Sequence, residues 1–208
     1  MSDFTKIKIM CMTNRHLSVR DYDSQISQIA QARPEAVIVR EKDLPEQEYE
    51  MLAARVMDIC ARYKVLCIPH TYADAAIRLG AAALHLPLPL LLSMPKEQKK
   101  QFSILGASVH SKNEALQAKK AGATYLTAGH IFATDCKRGV PPKGLSVLQE
   151  ICKSVPQLPV YALGGINAQN APSCIRAGAY GVCIMSECMR YENVQDRFKD
   201  YDMPSMIK

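Results

Sequence analysis

Apolar and polar positions along the chain fall into two alternating regimes. Short apolar runs recur as IKIMCM near Ile7, AVIVR ending at Arg40, VLCI from Val65, AALHL from Ala82, SILGAS from Ser103, ATYLTA from Ala123, PVYALG from Pro159 and YGVCIM from Tyr180. Each is short, β-prone and apolar on both faces, the pattern of a strand covered on both sides. Between them lie segments with helical spacing: YDSQISQIAQA, EQEYEMLAARVMDICARY, ADAAIRLG, KNEALQAKKAG, LSVLQEICKSV and NAQNAPSCIRAG. Several end in Gly, a helix stop signal. The result is βα repeated eight times, which predicts an α/β protein with a closed (β/α)8 TIM barrel, an open doubly wound sheet being the alternative. No linker interrupts the pattern, so residues 1–208 are read as one barrel domain with a polar tail after about Tyr191 that is expected to fray.

Composition narrows this picture without changing it. At 208 residues, 48% hydrophobic and 22% charged, the chain suffices for one barrel with short loops. No apolar run approaches the roughly 20 residues of a membrane span, and the start MSDFTKIKIMCM lacks the order of a secretory signal, so a cytoplasmic protein with no membrane partner is expected. Of eight cysteines, Cys11, Cys67 and Cys183 sit in strand-like runs as small hydrophobes; no disulfide framework or zinc spacing is read from them. The net charge of +6 raises the question of nucleic acid. Lys96, Lys99, Lys100, Lys119 and Lys120 lie in separate amphipathic segments, however, and the chain has no Trp and four Phe to stack on bases, so none is expected. A homo-oligomer stays open.

In a (β/α)8 barrel the chemistry is built where the strands end, which singles out the polar residues closing each apolar run. LGGIN from Leu163 and IMSE from Ile184 close the last two strands, where a phosphate cradle is common; Gly164, Gly165, Met185 and Ser186 are its candidates. Arg40 and Lys42 flank Glu41, and strand alternation directs both cations to one side. His70, His85, His110 and His130 close or follow strands, where an imidazole can exchange protons near neutral pH. His85 is read as a structural hydrogen-bonding residue, and His110, next to Ser108, as one that could orient a loop. His130 lies in AGHIFATDCKRG, with the Thr134 hydroxyl and the Lys137 cation nearby, and is the preferred proton-transfer residue. Cys136 beside Lys137 could have a lowered pKa, but no G-x-S-x-G elbow accompanies it and acyl transfer is disfavoured.

VREK from Val39, ASVHSKNEALQAKKAGATYL from Ala107, GHIFATDCKRG from Gly129 and ALGGINAQN from Ala162 resemble, in that order, the thiamine phosphate synthase superfamily. The match runs from about Lys6 to Met189 and lies closest to the TenI-like thiazole tautomerase branch. It implies the same (β/α)8 fold. A synthase of this family joins an aminopyrimidine diphosphate to a thiazole phosphate and uses magnesium held by aspartates after strands three and four. Here those motifs read IPHTY and HLPLPLL, with His70 and Thr71, then Pro87, Leu88 and Leu90, at the expected positions. Ile38 stands where synthases carry Gln, and His130 where they carry Pro.

The resemblance therefore implies an isomerase that turns an exocyclic-alkene dihydrothiazole carboxylate phosphate into the aromatic carboxythiazole phosphate, with His130 as acid/base. It further implies substrate contacts from Arg40, Lys42, His70, Ser108, His110, Thr134 and Lys137, phosphate at Gly164, Gly165, Met185 and Ser186, and no metal or other cofactor. His70 is left as a second proton carrier or an ordinary hydrogen-bonding residue. The alternatives are a true synthase, which would need magnesium, a non-catalytic barrel that binds a phosphorylated ligand, and an isomerase for another phosphorylated heterocycle.

Overall fold

The protein is described from a computed structural model over residues 4–134 and 139–204. Among these residues there are ten strands: β1 (Phe4–Lys6), β2 (Ile9–Met12), β3 (Ala36–Val39), β4 (Leu66–Pro69), β5 (Ala83–Pro87), β6 (Ile104–Val109), β7 (Tyr125–Ala128), β8 (Val160–Leu163), β9 (Gly181–Ile184) and β10 (Asp202–Pro204). β2 to β9 form one parallel sheet in the order β4-β3-β2-β9-β8-β7-β6-β5. Its two ends meet at a His70–His85 bridge, where the Thr71 amide donates to the His85 carbonyl at 3.0 Å, and so the barrel closes. All eight strands fall on the apolar runs read from the sequence.

Alternation along each strand divides the core in two. Met10, Met12, Ala36, Ile38, Ile68, Ala83, Tyr125, Tyr161 and Cys183 fill the barrel. Their neighbours, such as Ile9, Cys11, Val37, Val39, Leu84 and Leu126, face outward and pack under the helices.

The helices obey local rules. Tyr22–Gln31 starts at Asp21, whose side chain accepts from the Ser24 amide at 3.0 Å, and it buries Ile26, Ile29 and Ala30. Lys112–Lys120 starts at Ser111, whose hydroxyl accepts from the Glu114 amide at 3.2 Å, while Glu114 reaches back to the His110 amide at 2.6 Å. Gly80, Gly122 and Gly178 follow three of the helices at positive φ, the stop that Gly permits. Among the described residues no helix is long and apolar enough to cross a membrane. The described cysteines are free thiols.

The expectation of a fraying tail is overturned. Val194–Lys199 is a helix and β10 pairs antiparallel with β1. Val194, Phe198 and Tyr201, spaced four and three apart, are buried at 0%, 4% and 1% exposure. A polar composition hid three apolar residues, two on one face of that helix and the third just past its end.

Candidate active site

The alternation that fills the barrel also delivers the polar residues above it. Inward positions climb from Ile38 to Arg40 and Lys42, from Ile68 to His70, and from Gly106 to Ser108 and His110. All five of these polar side chains line one cavity of about 960 Å³ at the C-terminal ends of the strands. His130 and Thr134 line it from the loop after β7, and Gly164, Gly165, Met185 and Ser186 line it after β8 and β9. Lys137, with Asp135 and Cys136, lies outside the described residues. His85 is below the cavity at 0% exposure, the structural place read for it. The sequence reading missed Glu114, Asn167, Glu187 and Arg190, which also line the cavity. For Glu114 the S-x-x-E capping pattern is the available signal; Asn167 and Glu187 are the last residues of the LGGIN and IMSE motifs, and Arg190 lies beyond either with no signal.

Glu41 explains why its two cationic neighbours share a side. It is 2% exposed, and its carboxylate accepts from the Thr13 hydroxyl at 2.7 Å, from the Arg15 amide at 3.0 Å and from the Arg15 guanidinium at 3.2 Å. Thr13 Oγ1 in turn accepts from the Arg40 amide at 3.0 Å. Glu41 thus ties the loop after β2 to the loop after β3, and Arg40 and Lys42 are presented to the opposite face, the cavity.

His130 is held by its backbone. Its φ is +62°, in the left-handed region that side chains other than Gly rarely enter, and it is 3% exposed. Its carbonyl accepts from the Lys143 amide at 2.8 Å. The Ile131 and Phe132 amides donate to Leu163 and Gly164 carbonyls at 3.1 and 3.0 Å. This loop lies directly on the glycine pair: a Cβ at Gly164 would fall 2.8 Å from His130 Cα, and one at Gly165 would fall 2.2 Å from the Ala133 carbonyl oxygen. The sequence assigns the glycines to a phosphate cradle. They line the cavity, yet the groups that press on them belong to the His130 loop. Below the pair, the Asn167 and Asn170 side chains accept from each other's amides at 3.0 and 2.9 Å, and Asn170 Nδ2 donates to the Gly165 carbonyl at 2.8 Å.

His70 occupies the opposite wall. Its amide donates to the Tyr49 hydroxyl at 2.7 Å, and its Nδ1 is 2.5 Å from Thr71 Oγ1. Thr71 has φ +74° and the Tyr72 amide donates to the His70 carbonyl at 2.9 Å, which is a γ-turn of the rare strained kind. The His70 ring stacks on His85 with centroids 5.4 Å apart. Burial, then His85, Arg40 and Lys42, hold the His70 pKa well below the usual imidazole range. Burial alone pushes His85 down to about 3. Both rings are neutral at physiological pH.

The chain matches the family described as thiamine monophosphate synthase over residues 9–188. It belongs to that family. A thiamine-phosphate synthase 2 of Streptococcus pneumoniae is 31% identical over 193 residues, covering 91% of this chain and 90% of the relative. A thiamine-phosphate synthase of Pyrococcus furiosus is 31% identical over 191 residues with the same coverage. Among solved structures, the thiamine phosphate pyrophosphorylase from Pyrococcus furiosus superposes with a TM-score of 0.80 at 30% identity, covering 94% of this chain and 93% of that one. These likenesses place the protein in a family of thiamine biosynthesis enzymes and support a transferase more directly than an isomerase.

The side chains at the family's magnesium positions do not suit that ion. Magnesium takes hard oxygen donors in an octahedron, supplied mainly by carboxylates. The strand ends instead offer the imidazole of His70 and the apolar Pro87 and Leu88, and Leu90 is 41% exposed on the helix Leu88–Ser93. The described carboxylates on the cavity wall are Glu114 and Glu187. Glu114 accepts from the His110 amide, and Glu187 accepts from Arg197 Nε at 2.8 Å and from the Tyr201 hydroxyl at 3.2 Å. Among the described residues no cluster of three His, Cys, Asp or Glu suits a metal.

Proposed function

We propose that the protein is a thiazole tautomerase of thiamine biosynthesis, with His130 as the group that moves the proton. The observation that carries this reading is the placement of His130: a buried imidazole in the cavity wall, on a strained backbone anchored over Gly164. The substrate, an exocyclic-alkene dihydrothiazole with a carboxylate and a phosphate, becomes aromatic when one proton moves between two carbons. Aromaticity supplies the driving force, so the protein must hold the ring and carry a proton. One fixed residue can serve both carbons when they lie within its reach.

The remaining residues take roles that follow from their positions. Gly164, Gly165, Met185 and Ser186 line the end of the cavity after β8 and β9, where the phosphate is placed. Arg40 and Lys42 face it from the wall after β3 and balance the carboxylate. His70, Ser108, His110 and Thr134 complete the wall around the ring, and Lys137 belongs to the same substrate set.

A synthase is the second reading, favoured by the names of relatives at 31% identity and by two cations suited to a diphosphate. The test is conversion of the dihydrothiazole carboxylate phosphate to its aromatic isomer, followed by ultraviolet absorbance with chelator present. Turnover by the wild type that falls about 100-fold or more in His130→Ala is the expected result, the size of a lost general acid/base. No conversion by the wild type, with magnesium-dependent diphosphate release in the coupling assay, would establish the synthase instead.

A further inference from the structure

Below the cavity the barrel interior holds a polar cluster where such barrels ordinarily pack branched apolar side chains. Tyr125 Oη and His85 Nδ1 are 2.8 Å apart, and His85 Nε2 and Ser108 Oγ are 2.9 Å apart. Thr127 Oγ1 lies 3.2 Å from Ser108 Oγ and 3.4 Å from His85 Nε2. Tyr125 is 4% exposed, and Thr127 and His85 are fully buried. Of the four, only Ser108 reaches the cavity.

The direction of every proton in this cluster follows from satisfaction. Among the described residues the Tyr125 hydroxyl has one hydrogen bond, to His85. Were His85 Nδ1 to donate, the phenol proton would be buried with no acceptor. The phenol therefore donates, Nδ1 carries the lone pair, and Nε2 of the neutral ring carries the proton and gives it to Ser108. Among the described residues the Thr127 hydroxyl has two side-chain partners, Ser108 Oγ and the proton-bearing His85 Nε2, so it too donates to Ser108. Both acceptor positions of Ser108 Oγ are then filled. Its own proton has one direction left, into the cavity.

We propose that Tyr125, His85 and Thr127 are positioning residues that fix Ser108 as a one-way hydrogen-bond donor to the bound heterocycle. Its partner is an atom that carries a lone pair and no proton, a carboxylate oxygen or an unprotonated ring nitrogen. The preset direction means that a ligand offering a donor at this point meets another donor, so the cluster selects as well as binds. The low pKa of His85 supports this, since a ring that stays neutral does not reverse the cluster between mildly acidic and neutral pH.

Two measurements test the inference, and only the second rests on the tautomerase reading. In the free wild-type protein, imidazole ¹⁵N shifts of His85 are expected to report a neutral ring protonated at Nε2 and unchanged down to about pH 5. A ring protonated at Nδ1 would overturn the proposal whatever the enzyme's reaction. Binding is then measured by calorimetry with the carboxythiazole phosphate and with the same thiazole phosphate lacking the carboxylate. Ser108→Ala is expected to weaken binding about tenfold. Loss for the carboxylated probe alone identifies the carboxylate as the partner, and loss for both identifies the ring nitrogen; loss for neither sinks the proposal. Tyr125→Phe is expected to weaken binding severalfold in the wild-type background and not at all in Ser108→Ala, whereas an equal effect in both backgrounds would reduce Tyr125 to a packing residue. If the wild type binds neither thiazole, the tautomerase reading fails while the His85 result still decides the direction of Ser108.

Discussion

A methyl group on Gly165 would meet the Ala133 carbonyl oxygen at 2.2 Å and Phe132 Cβ at 2.9 Å, at a φ of +65°. The backbone conformation disfavours any other residue, and the space leaves no room for its Cβ. Gly80 is the natural control, since it has nearly the same φ, +66°, and nothing within 4 Å of an added Cβ. Gly80→Ala is expected to cost about 1 kcal/mol, the left-handed penalty alone. Gly165→Ala should cost about 1–3 kcal/mol more and displace the His130 loop, lowering turnover well beyond its effect on stability. Urea unfolding of both variants with turnover of each checks this; equal behaviour would mean that the loop does not depend on Gly165. The same residue-scale logic separates the four strand-end histidines. His85 is locked among three polar neighbours, His110 Nδ1 bonds the Gly129 carbonyl at 3.3 Å, and His70 and His130 face the cavity from different walls.

At the scale of elements, the C-terminal helix Val194–Lys199 links stability to the site. Gln25 Nε2 donates to the Cys188 and Tyr191 carbonyls at 2.7 and 3.0 Å, and Arg197 and Tyr201 both donate to Glu187, the residue after Ser186. The helix therefore braces the short helix Ser186–Met189, whose first residue lines the cavity. Phe198→Ala is expected to destabilise the protein by about 3–5 kcal/mol, as for a large buried aromatic, measured as a shift in the denaturation midpoint. A change under about 0.5 kcal/mol would mean that the helix is not packed in solution.

At the scale of the whole molecule, the two neutral imidazoles make the fold acid-sensitive. His85 titrates near 3 in the folded chain, and His70 is lowered in the same direction. In the unfolded chain both return to about 6.5. Below that value the unfolded state binds protons that the folded state does not. Stability is therefore fully present above about pH 6.5 and falls as the pH drops toward 3, with a limiting slope of about 1.4 kcal/mol per pH unit for each ring. Denaturation midpoints at about pH 7 and about pH 5 should differ by roughly 2–4 kcal/mol in stability, and His85→Gln should flatten that dependence. An unchanged midpoint would show that the rings protonate within the fold.

The sequence by itself determined the repeated βα order, the strand cores and most of the polar side chains on the cavity wall. Strand alternation is a local property, so Ile38 inside the barrel already placed Arg40 and Lys42 above it, and Gly106 placed Ser108 and His110. The tertiary structure alone decided what depends on contacts between distant segments. It brought the loop after β7 down onto Gly164 and Gly165, turned Glu41 away from the site to tie two loops, and drew His85, Ser108, Tyr125 and Thr127 from three strands into one cluster. It also folded the polar tail against the barrel, where three buried side chains outweigh composition. Periodicity assigns each residue a face; only closure of the barrel decides which faces meet, and hydrogen-bond direction follows from that meeting.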